Sequence, residues 1–169
     1  MQLRLFVVSL FAVCLFTGCP GQERPAGMPE LFPCKITITQ GGRPLGDAIV
    51  NLVPEEAALG WVINGITDAN GVATIKTQGN YTGAPAGPYK VCVSKVEITP
   101  SQIPQPAKDA SYAELVEYGE KAGKEVRPSY NIVKPEYNDA AITPLSITIT
   151  KGKNNVTLDA GETIREEIK

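Results

Sequence analysis

Three sets of residues in this chain have types and spacings that could do chemistry. Asp68 and Asn70, in the run Thr67-Asp68-Ala69-Asn70-Gly71, offer side-chain oxygens two residues apart, the spacing that begins a calcium loop. No glutamate follows at the distance that would complete the ligand set, and Asn70-Gly71 equally supplies the positive φ of a tight hairpin turn. Trp61 and Tyr81, with Tyr89, could build a platform on which a sugar stacks. Tyr89 has inward parity and Trp61 stands beside Val62 and Ile63, so core packing is the alternative use of these rings. Cys34 and Cys92 could be joined by a disulfide, closing a loop of about 59 residues and contributing roughly 4 kcal/mol. Against that bond, Cys34 shares parity with Ile36 and Ile38, whereas Cys92 shares parity with Lys90 and Ser94. Opposite faces are bridged only at a bulge or a frayed strand start, such as the one after Pro33.

Other chemistry is excluded by what is missing. The chain has no histidine, which removes the commonest general base near neutral pH and the commonest transition-metal ligand. Serine and cysteine nucleophiles without an evident base do not make a catalytic site. No enzyme activity, cofactor or metal is therefore expected. Lys plus Arg total 16 against 18 Asp plus Glu, a mild balance without the basic footprint of a nucleic-acid binder.

The N-terminus carries an address. Arg4 precedes an almost wholly apolar run, Leu5 to Phe16, the pattern of a secretory signal and too short to span a bilayer comfortably. Phe16-Thr17-Gly18-Cys19 resembles the bacterial lipobox, with Phe16 where leucine is usual. That resemblance implies lipidation of Cys19 and anchoring by several acyl chains, since a single chain binds a membrane only marginally. Pro20 is not the aspartate that retains some lipoproteins at the inner membrane, so the outer membrane is favoured. Ordinary cleavage near Gly18 or Gly21, giving a secreted protein, is the alternative. On this reading residues 1–18 are a lipoprotein signal peptide, and residues 19–33, rich in proline, form a tether.

From Cys34 the pattern becomes that of strands. Gly and Pro number 16 and 14, which suits many turns and argues against a helical bundle. Period-two alternation predicts seven strands, around Ile36–Ile38, Ala48–Leu52, Trp61–Thr67, Ala73–Ile75, Tyr89–Val93, Leu145–Ile149 and Val156–Leu158. The expected fold is an all-β, seven-stranded antiparallel sandwich over residues 34–160. An insertion at 101–130 carries one short helix at about 112–122, opened by the capping box Ser111-Tyr112-Ala113-Glu114. Its apolar stripe of Tyr112, Leu115, Val116, Gly119 and Ala122 predicts packing against an edge of the sandwich, or a lid over a site, and Gly123 can close its end. Residues 161–169 read as a charged, frayed tail.

Four stretches then carry a resemblance to a family. Gly42-Arg43-Pro44-Leu45-Gly46-Asp47-Ala48-Ile49-Val50 resembles a hairpin of carboxypeptidase regulatory-like domains, with Asp47 where that pattern has glycine. Thr67 to Gly71 and Pro85-Ala86-Gly87-Pro88-Tyr89-Lys90-Val91 are similar to the next two signatures, and Asn131 to Asp139 to the closing segment of small lipoproteins of this kind. The resemblance implies a transthyretin-like sandwich. Enzymes of related fold use histidines, absent here. Sandwich domains with a Lys–Asn isopeptide bond invite a comparison of Lys35 with Asn154 or Asn155, but that bond needs a buried lysine and acid, and Lys35 has outward parity. The expected function is a non-enzymatic, membrane-anchored envelope lipoprotein with a structural role or one in recognising a protein or glycan, through loops such as 55–60 and 78–88. The alternative is a carbohydrate-binding module that assists polymer degradation at the cell surface.

Overall fold

The computed structural model describes residues 24–56 and 60–168. The expected signal peptide at residues 1–18, Cys19 and part of the 55–60 loop lie outside the described residues. In chain order the elements are β1 (Cys34–Gln40), β2 (Arg43–Pro44), β3 (Ile49–Pro54), β4 (Ile63–Ile66), β5 (Val72–Thr74), β6 (Lys76–Thr77), β7 (Tyr81–Thr82), β8 (Gly87–Ser94) and β9 (Val96–Ile98). Then come α1 (Tyr112–Lys124), β10 (Ser129–Asn131), β11 (Ser146–Ile149), β12 (Asn154–Asp159) and β13 (Glu166–Glu167).

Two sheets face each other across one core. The first runs β12-β1-β2, with β5 also beside β1; the second runs β11-β8-β3-β4-β6-β7. Alternating apolar residues from both meet between them: Ile36 and Ile38 from β1, Val50 and Leu52 from β3, Tyr89, Val91 and Val93 from β8, and Ile147 and Ile149 from β11. Tyr89 is almost completely buried, and its hydroxyl donates to the Pro85 carbonyl at 2.9 Å, which removes the cost of burying an unpaired phenol.

All seven expected strands are present, and the all-β sandwich with one inserted helix is the observed architecture. The expectation of purely antiparallel pairing fails at β1, which pairs with β12 in parallel over Cys34↔Asn154 to Thr39↔Asp159. The seven-strand count fails as well. One expected strand divides at Ile75, so that β5 pairs with β1 while β6 pairs with β4, a single segment crossing from one sheet to the other. Short additional strands form at β2, β7, β9, β10 and β13.

The expected boundaries of 34 and 160 are both too tight. Leu31 is buried, Phe32 exchanges backbone hydrogen bonds with Ala84, and the Pro33 carbonyl accepts from the Asn154 amide. The sandwich therefore begins at Leu31 rather than at the end of the proline-rich stretch. The tail is folded too: β13 pairs with β10, and β10 with β9, in a small third sheet. Ile164 and Ile168 donate backbone N–H groups to Ile132 and Ser129, and the Arg165 guanidinium stacks 3.6 Å above the Tyr130 ring. A charged composition predicted fraying, but pairing partners supplied by residues 129–132 overcame it.

Candidate functional site

The helix is the first candidate. Its N-terminus forms as the sequence requires: the Ser111 side chain accepts from the Glu114 amide, and the Glu114 carboxylate accepts from the Ser111 amide at 2.7 Å. Those bonds from Ser111 hold the Glu114 carboxyl below its usual range. The helix runs on through Gly123 to Lys124 instead of closing at Gly123, because Glu125 is pinned beyond it. The Glu125 carboxylate accepts from the Ser101 hydroxyl at 2.6 Å and the Gln102 amide at 2.9 Å, and its acidity rises through these bonds.

The stripe expected to pack on the sandwich does not. No residue of α1 is buried; Tyr112 is 83% exposed, Leu115 48% and Val116 44%. The coil 103–110 lies instead along another face of the helix, where Ile103, Pro104 and Pro106 meet Tyr118, Glu114 and Lys121 around a cleft of about 240 Å³. Neither the edge-packing nor the lid reading survives: α1 covers no sheet edge, and its apolar stripe points into solvent.

Trp61 and Tyr81 fall on one end of the second sheet. Ile63 is opposite Thr77, and Thr77 opposite Tyr81, so the register brings Tyr81 to the same end as Trp61. Trp61 is half-buried against the core cluster, the core use of this ring. Tyr81 is half-buried as well. The neighbouring outer cleft, about 450 Å³, is lined by Asn64, Ile66, Asp68, Val72, Thr74 and Lys76 among others, and by neither aromatic ring.

Asp68 is a turn residue. Its Oδ1 accepts from the Asn70 and Val72 amides, both at 2.9 Å, so the carboxylate closes the hairpin. Among the described residues no group of three or more His, Cys, Asp or Glu could hold a metal ion. Sequence reasoning passed over the residue before it. Thr67 is buried, donates its hydroxyl to the Leu45 carbonyl at 2.7 Å and accepts from the Ala48 amide at 2.8 Å, stitching the β4–β5 turn to the start of β3. Between those contacts sits Asp47 at φ 56, a left-handed conformation that glycine adopts more freely.

Cys34 and Cys92 are both buried and both free, which overturns the disulfide between them. The two side chains lie on opposite faces, as their parity requires. Cys34 belongs to the core cluster, while Cys92 lies on the other face of β8, where the 3₁₀ turn Pro135–Asn138 packs. Thr143 holds that segment down by donating to the Val91 carbonyl at 2.9 Å. Burial pushes the Cys34 thiol up to about 11; burial, then the charge of Asp139, raises that of Cys92. Neither is an activated nucleophile.

Lys35 and Asn155 are directly opposite in the parallel register, with Thr74 on the other side of Lys35. Both are exposed, on the rim of a cleft of about 310 Å³ whose lining holds no carboxylate. Asn154 is buried, and its side chain is consumed by Thr150, Gly152 and Pro33. The buried lysine and acid that an isopeptide bond requires are not assembled here. Among the described residues no helix is long and apolar enough to cross a membrane.

Comparison with known proteins adds little. No protein-family model and no curated protein matches the chain. Among solved structures, a variant of BcpA, the major pilin subunit of Bacillus cereus, is similar at 15% identity and a TM-score of 0.39. The similarity covers 84% of this chain, which spans 31% of the pilin's length.

Proposed function

We propose that this protein is a non-enzymatic module of the bacterial cell envelope, held to a membrane by lipid on Cys19. It would present a transthyretin-like, carboxypeptidase regulatory-like sandwich in a structural role or for recognition of a protein or glycan. The anchor rests on the apolar run ending at Cys19. Because the sandwich begins at Leu31, only residues 20–30 remain as tether, spanning at most about 40 Å when extended. The family reading is supported by turn chemistry: the Asp68 carboxylate closes its turn, Asp47 takes the conformation glycine prefers, and Tyr89 anchors on Pro85.

The observation that carries the recognition role is the apolar stripe of α1, open to solvent on an insertion that the sandwich does not need for its core. The glycan-binding alternative is supported less, since Trp61 packs against the core. Intact mass of the protein from detergent-extracted membranes, with and without alkylation, tests the anchor. Residues 19–169 plus acyl chains is the expected result; an unmodified chain beginning near Gly21 would make it a secreted sandwich instead. Retention of a glycan that is lost on Trp61→Ala would restore the carbohydrate reading.

A further inference from the structure

The open edge of β12, six residues long, is longer than any other open strand edge described, the next being the four residues of β11. Asn154 donates to Pro33 and Ala160 to Thr39, so the even-numbered residues of this stretch spend their backbone groups on β1. The N–H and C=O groups of Asn155, Thr157 and Asp159 therefore face away from the sheet, and no strand among the described residues pairs with them. Natural sheets blunt such edges with very short strands, charges, prolines or bulges. Those devices are visible elsewhere in this molecule. β7 and β13 are two residues long, β13 is a pair of glutamates, β9 carries Glu97 at its centre, and Pro144 precedes β11. β12 pairs without a bulge along its whole length, and its outward backbone carries no charge until Asp159.

We propose that this edge joins two copies of the protein, β12 pairing antiparallel with β12 about a two-fold axis through Thr157. The exposed residues are self-complementary in that register. Thr157 meets Thr157, and Asn155 meets Asp159 on both sides of the axis; the Asp159 carboxylate already accepts from Thr39, Gly42 and Gly161 of its own chain, so the pairing rests on the backbone groups and the carboxylate adds only its charge. Lys153 of one copy lies diagonal to Asp159 of the other, placing opposite charges near each other. The three outward residues fall at hydrogen-bonded positions, so each pair exchanges both N–H···O=C bonds. Val156 and Leu158, half-buried against the core at the open margin, gain cover from the second copy. An edge of this length buries less than a standard stable interface, so the association is weak and favoured at high local concentration.

Site-specific cross-linking of the full chain tests this. At a hydrogen-bonded pair the Cα atoms lie about 5.5 Å apart, within disulfide range. Thr157→Cys should form a disulfide-linked dimer under mild oxidation at least about tenfold faster than Thr148→Cys, an exposed threonine on β11. Asn155→Cys should not, because its two copies lie roughly 14 Å apart across the axis. The native Cys34 and Cys92 are buried, and the unsubstituted chain sets the background. Thr157→Pro removes an N–H that makes no bond to β1, and it should weaken self-association in sedimentation by about tenfold with an unchanged unfolding midpoint. Equal rates for Thr157→Cys and Thr148→Cys would overturn the proposal, as would a dimer insensitive to Thr157→Pro. Slow exchange of the Thr157 amide in the dilute monomer would also overturn it, by showing that a segment of the same chain already covers the edge.

Discussion

The hairpin turn at Asp68–Gly71 and the helix at Tyr112–Lys124 obey local sequence rules equally well, yet they stand in opposite relation to the rest of the molecule. Gly71 is threaded between two strands: its carbonyl accepts from the Ile38 amide, and Leu45 in turn donates to the Ile38 carbonyl. A Cβ at Gly71 would lie 2.5 Å from the Ile38 oxygen, and the residue holds φ +75. The turn is thus determined twice, by its own side chains and by the strands around it. The helix is determined once. Its capping box, its ion pair between Glu117 and Lys121 at 2.7 Å and its tie through Glu125 are all local to the insertion. Local order and tertiary commitment are therefore separate properties in this protein, and substitutions should separate them.

The largest effect is expected at Gly71→Ala, which combines a left-handed backbone with a clash against main chain. A loss of about 3–4 kcal/mol in denaturant unfolding would agree with the double determination, and a loss below about 1 kcal/mol would break it. Thr67→Val comes next. It leaves the Leu45 carbonyl and the Ala48 amide without their hydroxyl partner, and a cost of about 2–3 kcal/mol is expected at nearly constant shape.

The free thiols give a pH-dependent version of the same comparison. Because burial raises Cys34 from 9.0 to about 11, the unfolded chain releases its proton first as pH rises. Stability is unaffected by this group below about 9 and declines as pH climbs toward about 11. Unfolding midpoints across that range should fall less steeply in Cys34→Ala, and Cys34 and Cys92 should both resist alkylation until the chain is unfolded. Rapid alkylation of the folded protein would mean the core is looser than its packing indicates.

The smallest effects belong to the helix. Ser111→Ala should cost the insertion about 1 kcal/mol of local helix stability, visible in amide exchange of residues 112–124, while the global midpoint stays in place. Leu115→Ser should change the global midpoint by less than about 0.5 kcal/mol. A drop near that of a core leucine would show that the stripe is covered in solution and would dissolve the contrast between the two regions.

What residues alone determined here is whatever depends on near neighbours. Ile36 and Ile38 set the inner face of β1 because side chains alternate along any strand. Asp68 and Asn70-Gly71 set a turn because a carboxylate can reach the amides just ahead, and Ser111 with Glu114 set a helix start by the same short-range logic. Tertiary structure decided what depends on which edges meet. The parallel partner of β1 comes from the far end of the chain, and nothing in the alternation of Cys34–Gln40 distinguishes a parallel neighbour from an antiparallel one. Cys92 is buried on an outward face only because Pro135–Asn138 folds over it, and the acidic tail is ordered only because residues 129–132 offer it a strand. The helix is left uncovered because Glu125 ties the insertion to itself rather than to the sandwich. Periodicity records which side of an element is apolar; it carries no record of what arrives to cover it.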